Sequence, residues 1–375
     1  MRFQPTIAES STASAITGKR RIANDLDYLM ARLHARRSRM AEAERLDGLC
    51  RIQSIQEFFR TIFPESDFKG ILEFQRQLVY ELIAELSGFS IHMSGPAADL
   101  TDWMLVRFQA ENLKVLIRAC LTKTPVEELY AHLVALPKEL ALNVQGLATA
   151  ESPGNFIRLI PKGLFRENLE KALESCDGNP RPFFLEVALD RSYFQGLIAK
   201  TEGLSHEDRE IVKPMICQEV DTFHLMLVAR GKFHYCLTPE VLQPLHVSGT
   251  RVPRALFAAM VNDQDLYTAV GRVAERVLDA APFQHETSDG SIAVDASTLE
   301  RLAWKRFFRL ANVAFRQSHM GLGAILGYVC LRRVEVANLI TISEGIRSGM
   351  DAETIRARLI PWTHAEGAPC LGQFP

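Results

Sequence analysis

The sequence is poor in the signals that mark enzymes and membrane spans. It has no HExxH, no CxxC pair and no aspartate-rich DDxxD run, so the clustered ligands that metal sites need are missing. It has no G-x-S-x-G elbow and no G-x-x-x-x-G-K-[ST] loop, which removes the familiar signatures of nucleophilic hydrolysis and phosphate binding. Alternating strand patterns are almost absent; "NFIRLI" and "GSIAVD" are the only short candidates. No apolar run reaches about 18 residues, so no segment is expected to span a membrane, and the start "MRFQPTIAESSTASAITGKRR" has no apolar signal-peptide core. Charge of one sign is missing too. The 43 Lys and Arg nearly balance the 45 Asp and Glu, and the net charge of −2 offers no footprint for nucleic acid.

What is present is helix. The chain of 375 residues is long enough for two or three domains at roughly 100–200 residues each. The segments "DLDYLMARLHARRSRM", "ILEFQRQLVYELIAEL", "WMLVRFQAENLKVLIRACL" and "TLERLAWKRFFRLANVAF" carry the i, i+3, i+4, i+7 apolar spacing of helices. The expected class is all-α. Seven scattered cysteines (Cys50, Cys120, Cys176, Cys217, Cys236, Cys330, Cys370) lie largely in this apolar text and read as packing residues of a reduced, cytosolic protein. Gly, Pro, Ser and Asn mark linkers at 145–155, 176–182, 246–253 and 281–291.

One apolar stretch, "YVCLRRVEVANLITI" from Tyr328 to Ile342, carries Glu335 and Asn338 on one helix face. Burying a carboxylate and an amide costs free energy unless they are paired. The arrangement has two echoes, Gln109 with Asn112 and Glu219 with Thr222. The three sets lie 110 and 116 residues apart, and each is followed by a helix-start signal: Thr124-Pro125 with Glu127, Thr238-Pro239 with Glu240, and Asp351 with Glu353. A second marker precedes each copy, a Leu-Glu pair followed by an aromatic: Leu72-Glu73 with Tyr80, Leu185-Glu186 with Tyr193, and Leu299-Glu300 with Phe307. Two markers in one order, three times, predict three similar helical domains at 24–145, 146–250 and 251–361, with an N-terminal extension over 1–23 and a tail over 362–375. The polar sets are expected to brace loops or helix ends within their own domains.

Among other features, the glycines of "GLGAILG" (Gly321 to Gly327) miss the dinucleotide-binding spacing and read as close helix packing. His224 and His234 are ten apart and read as packed or surface residues. The basic run "ARLHARRSR", with Arg32, Arg36, Arg37 and Arg39, is either a solvated face or a docking surface for an acidic partner or anionic headgroups. Arg332 and Arg333 are further docking candidates.

The block "QSHMGLGAILGYVCLRRVEVANLITISEGIRSGM" resembles the C-terminal block of the rotor-coupling subunit of V-type and archaeal-type rotary ATPases, called the d subunit in eukaryotes and the C subunit in archaeal and bacterial complexes. The matching positions are Gly327-Tyr328, Arg332 and Arg333, Glu335 to Asn338, and Arg347 to Gly349. "LEVALDRSYFQGLI" and "DYLMARLHARRSRM" are similar to family segments in the right order, so the likeness runs from about residue 25 to 361. The resemblance implies three helical domains in a pseudo-threefold funnel, without catalytic site or cofactor. It implies a cytoplasmic location, held at the membrane through a complex, with the central-shaft subunits and the membrane proteolipid ring as partners in coupling ATP turnover to H⁺ or Na⁺ transport. The competing class is a helical-repeat scaffold with unrelated partners.

Overall fold

The computed structural model describes residues 26–175, 181–280 and 295–360. They form α-helices joined by short turns, with no strand among the described residues. In chain order the helices are α1 (Leu26–Arg37), α2 (Ala43–Cys50), α3 (Ile55–Ile62), α4 (Ile71–Ser90), α5 (Gly95–Thr122), α6 (Val126–Leu129), α7 (Val144–Ala148), α8 (Pro153–Leu159), α9 (Leu164–Glu174), α10 (Pro182–Glu202), α11 (His206–Met226), α12 (Pro239–Leu242), α13 (Arg254–Asn262), α14 (Leu266–Gly271), α15 (Ala296–Gln317), α16 (Leu322–Arg347) and α17 (Ala352–Arg358). α11 runs on into a π-helical stretch, Leu227–His234, and a second π-helical stretch covers Ala274–Leu278. The strand candidate "NFIRLI" lies in α8, and the linker expected at 145–155 holds the end of α7, the Ser152 cap and the start of α8. The expected N-terminal extension, the C-terminal tail, Cys176, Cys370, the 281–291 linker and most of "GSIAVD" lie outside the described residues.

Caps explain many of the helix starts. The side chains of Ser54, Asn143, Ser152, Ser205, Asp265, Asp295 and Asp351 each accept a backbone N–H of the first turn. All three start signals that follow the polar sets do open a helix. Asp351 caps α17, whereas Pro125 and Thr238 precede α6 and α12 without a side-chain cap.

Six long helices make three hairpins, α4–α5, α10–α11 and α15–α16. Contacts pass from α4 to α5, α10, α11, α15, α16 and back to α4, so the hairpins close a cycle. The first helix of each hairpin buries every fourth residue: Phe74, Leu78, Leu82, Leu86; Leu185, Leu189, Tyr193, Leu197; Leu299, Ala303, Phe307, Ala311. The aromatic marker is therefore in register in the second and third copies only. In the first copy Leu72 and Tyr80 are 46% and 49% exposed, and the inward positions are Phe74 and Leu82, two residues on.

Two glycines admit close approach. A Cβ on Gly196 would lie 1.9 Å from the Trp103 ring, where α5 crosses α10. One on Gly327 would lie 2.7 Å from the Ala311 carbonyl and 2.8 Å from the Phe315 nitrogen of α15. Close packing, rather than a nucleotide, accounts for that glycine of "GLGAILG".

The cores do not follow the boundaries read from the sequence. One is built from the end of α5, the short helices α6–α9 and the start of α10. A second joins the end of α11 and its π stretch to α13, α14 and the start of α15. The corresponding part of the third is made by the end of α16 and α17 with α2, α3 and the start of α4, so both ends of the described chain contribute to one unit.

Candidate functional site

The second helices of the three hairpins, α5, α11 and α16, align at spacings of 112 and 114 residues, and three rows of side chains then coincide. The first row is Arg107, Glu219 and Arg333. Both guanidiniums reach the one carboxylate. Arg333 donates to Glu219 through Nη1 (3.0 Å) and Nη2 (2.6 Å), and Arg107 donates to the same carboxylate. Three hairpins are thus tied through one residue. The Glu219 and Arg333 side chains are 9% and 8% exposed, so the pair is largely dehydrated and its attraction little screened. Burial pushes the Glu219 carboxyl up, but the charges of Arg333 and Arg107 outweigh it and hold the pKa below the usual glutamate range. For Arg333, burial is outweighed in turn by Glu219, and its pKa is raised. The marker aromatics flank this centre: the Arg107 guanidinium lies 5.9 Å from the Tyr193 ring and that of Arg333 5.5 Å from Phe307. Burial pushes the nearby Cys330 thiol up to about 12, so it stays protonated.

The second row is Gln109, Asp221 and Glu335, and the third is Asn112, His224 and Asn338. The third row clamps the chain as it returns from a short helix. Asn112 takes both the N–H (3.0 Å) and the carbonyl (2.8 Å) of Val134. His224 Nε2 accepts the Val247 N–H at 3.0 Å, and Asn338 Oδ1 accepts the Ile360 N–H at 2.9 Å. The second row reaches further along the chain. Gln109 donates to the Leu140 carbonyl (3.1 Å), and Asp221 accepts the Val252 N–H (3.2 Å) and Arg251 Nε (3.1 Å). Both partners lie 31 residues on. In the third copy the partner comes from the other end of the chain: Glu335 accepts the Ala41 N–H and Arg332. Each buried polar group thereby satisfies backbone that would otherwise be orphaned.

In the second copy, then, the residues in register with Gln109/Asn112 and Glu335/Asn338 are Asp221 and His224. Glu219 and Thr222, the set read from the sequence, sit two residues earlier. Glu219 lies in the central ion-pair row, and the Thr222 hydroxyl bonds the Gln218 carbonyl of its own helix. A third set of equivalent contacts joins each hairpin to the next: Arg118 with Glu186 (3.0 Å through Nη2), Arg230 with Glu300 (2.6 Å), and Gln75 with Glu344 (2.9 Å).

The six arginines singled out in the sequence divide. Arg333 belongs to the central row and is unavailable for docking. Arg332 is engaged internally, by Glu85 (3.3 Å) and Glu335, and is 16% exposed. Arg36 pairs with Glu85 (2.5 Å), and Arg37 with Glu42 and Asn312 (3.3 Å). Arg32 and Arg39 are exposed on the rim of a cleft of about 440 Å³ between α1, α4 and α16, whose lining includes Glu85, Tyr328, Arg332 and Glu335. Sequence reading missed Arg107, Asp221, His224 and Glu85. For Arg107, Asp221 and His224 the signal was present only as the 112- and 114-residue spacing, read through exchanges of Asn for His and of Arg for Glu; Glu85 of α4 lies outside those rows.

Among the described residues no group of three or more His, Cys, Asp or Glu is placed to hold a metal ion, and no helix is long and apolar enough to cross a membrane. Fold and centre together define an all-α protein whose three long helical hairpins are braced by buried ion pairs. The chain belongs to the ATP synthase (C/AC39) subunit family, whose profile matches residues 29–358. It is similar to the C subunit of the A-type ATP synthase of Methanothermobacter thermautotrophicus, with 24% identity covering 85% of this chain and 83% of that one. The C subunits of the A-type ATP synthases of Methanocaldococcus jannaschii (21% identity, 89% and 86% covered) and Haloferax volcanii (23%, 89% and 97%) match over a similar extent.

Proposed function

We propose that this protein is a non-catalytic coupling body of an A/V-type rotary ATPase, lying between the central shaft and the membrane proteolipid ring and passing torque between them. It would lie on the cytoplasmic side, held at the membrane through the complex. The observation that carries the reading, beside the family, is the closed cycle of hairpins with Glu219 at its centre. A part that transmits rotation must resist twisting, and three mutually braced repeats resist it better than an open stack whose repeats touch only their neighbours. No cofactor enters this role, and the choice of H⁺ or Na⁺ falls to the ring. The exposed Arg32 and Arg39, with Arg36 beside them, offer a docking face for an acidic surface of a partner protein in the complex.

The test is a deletion strain. Membrane vesicles should keep ATP hydrolysis by the released head while ATP-driven ion uptake is lost; unchanged uptake would sink the reading. In the complemented strain, Arg32→Glu with Arg39→Glu should weaken co-purification of shaft or ring. Wild-type recovery of both would end the docking assignment while leaving the coupling role open to the first arm. A pull-down that brings unrelated proteins, without shaft or ring, would favour a general scaffold.

A further inference from the structure

The clamp that is an asparagine in the first and third repeats is a histidine in the second, and its surroundings are those of a proton-sensitive latch. His224 is fully buried. Its Nε2 accepts the Val247 N–H at 3.0 Å, so the ring is in the tautomer with hydrogen on Nδ1. His246, from the segment being held, stacks on it with ring centroids 4.6 Å apart and an interplanar angle of 13°, and donates from Nε2 to the Val252 carbonyl at 2.8 Å. Adding a proton to His224 Nε2 removes the acceptor, sets two N–H groups against each other and places a charge in a closed site. Asn112 and Asn338 do the same work with oxygens that do not titrate in this range.

The charged neighbours leave little to receive that proton's charge. On α11 itself, Asp221 lies one turn away, with Oδ1 3.9 Å from His224 Nδ1, but it is already engaged by Arg251 and the Val252 N–H. The segment 246–252 brings His246 and Arg251. Arg254 of α13 and Arg191 of α10 both act against a charge on His246, α13 also presents the Phe257 ring, and Arg306 of α15 stands near Arg251 and Asp221. Two carboxylates, Asp221 and the Asp279 that pairs with Arg306 at 3.2 Å, thus face four guanidiniums.

We propose that His224 is an acid-released latch: protonation releases the Val247 amide from α11 in the second repeat alone, while Asp221 keeps its hold on Arg251 and Val252 and the clamps of the first and third repeats stay closed. Burial pushes the pKa of both histidines below the ordinary value, with Asp221 opposing and His246 reinforcing the shift at His224. The sign follows. A histidine whose folded pKa is depressed contributes fully above its unfolded value, about 6.5, and the contribution is lost as pH falls toward the folded value.

The experiment is hydrogen exchange on the full chain between pH 7.5 and 5.5, expressed as protection factors so that the intrinsic pH dependence of exchange cancels. The Val247 amide should lose protection between pH 6.5 and 5.5, by up to about fivefold, the most that one proton taken up on opening at a pKa of about 6.5 can give. The amides of Val134 and Ile360 serve as internal controls and should hold. In His224→Asn the pH response at Val247 should disappear. Equal changes at all three amides, or an undiminished response in His224→Asn, would overturn the latch. If that variant does not fold, ring-carbon NMR of ¹³C-histidine-labelled wild type decides: His224 in the closed form must be the Nδ1–H tautomer at pH 7.5 and must stay neutral below pH 6.5, where a free histidine charges, while Val247 protection falls. A ring already charged at pH 6.5, or one that gains its proton while Val247 stays protected, rejects it.

Discussion

Glu219 answers to two guanidiniums that arrive from different hairpins, and the energetics of the centre turn on that asymmetry. Removing the carboxylate strands Arg333, 8% exposed, and Arg107 without a counter-charge. Glu219→Ala should therefore cost about 3–5 kcal/mol, the usual penalty for breaking a buried pair from one side, read as a fall in thermal midpoint at pH 7. Because the Glu219 pKa is depressed, its contribution is complete above the unfolded glutamate value of about 4.3 and is lost below it. The gap between wild type and variant should close as pH drops through that range; a gap that persists at pH 3 would mean packing, not charge, is what Glu219 supplies. Thr222, one turn away, makes only a bond within its own helix, so nothing comparable is expected of it. The sequence displayed both residues as a polar pair on an apolar face. It did not display that the copy was two residues out of register, because at this position the repeat is kept as a pattern of acceptors and charges and not of residue types: His224 stands where asparagine stands elsewhere, and Glu219 where arginine does.

At the scale of helices, class and position were legible, since the 3.6-residue apolar periodicity of α1, α4, α5 and α15 survives intact in the structure. Facing was less so. α4 carries apolar residues on two faces, and the Leu72–Tyr80 marker lies on the exposed one; a pattern alone does not say which stripe the neighbours will cover. Of the short helices, α6, α12 and α17 showed only their starts, and others such as α7 and α8 looked like linkers, since helices of a few residues in Gly- and Pro-containing text lack a readable period. Helix contact gives a sharp contrast between glycines. Gly327→Ala drives a methyl into the backbone of α15, 2.7 Å from the Ala311 oxygen. It should cost about 1–3 kcal/mol as α15 and α16 separate. Gly48→Ala, in α2 with nothing within 4 Å of the new carbon, should gain up to about 1 kcal/mol from helix propensity. Chemical denaturation of the two variants checks both signs.

For the whole molecule, the all-α class was legible in sequence, while the hydrophobic cores run across the boundaries expected from it. The sequence divides the chain where text begins to resemble itself; burial divides it across the hairpins, so that each core takes the end of one hairpin and the start of the next. The third unit has no following hairpin and uses the first one, through α2, α3 and α4. Glu335→Ala should accordingly act on the whole body. It leaves the Ala41 N–H without its acceptor and Arg332 with Glu85 alone, costing about 1–3 kcal/mol for the group left unpaired. Because the loss falls where the cycle closes, calorimetry should show one transition moved down in temperature; a separate early transition confined to the third repeat would show that the cycle is not cooperative.

The bond between Ala41 and Glu335 spans 294 residues of chain, and it bears on how the molecule is made. During synthesis α1 and α2 are made long before α16 and α17, which pack on them, although Arg36 can meet Glu85 of α4 much earlier. The first two cores draw on contiguous stretches of chain and can form early; the third cannot be completed until α16 and α17 meet α2, α3 and α4. Folding thus ends with the clasping of a ring, and the surface that waits longest for its cover is the one that α1, α2 and α3 present to α16 and α17.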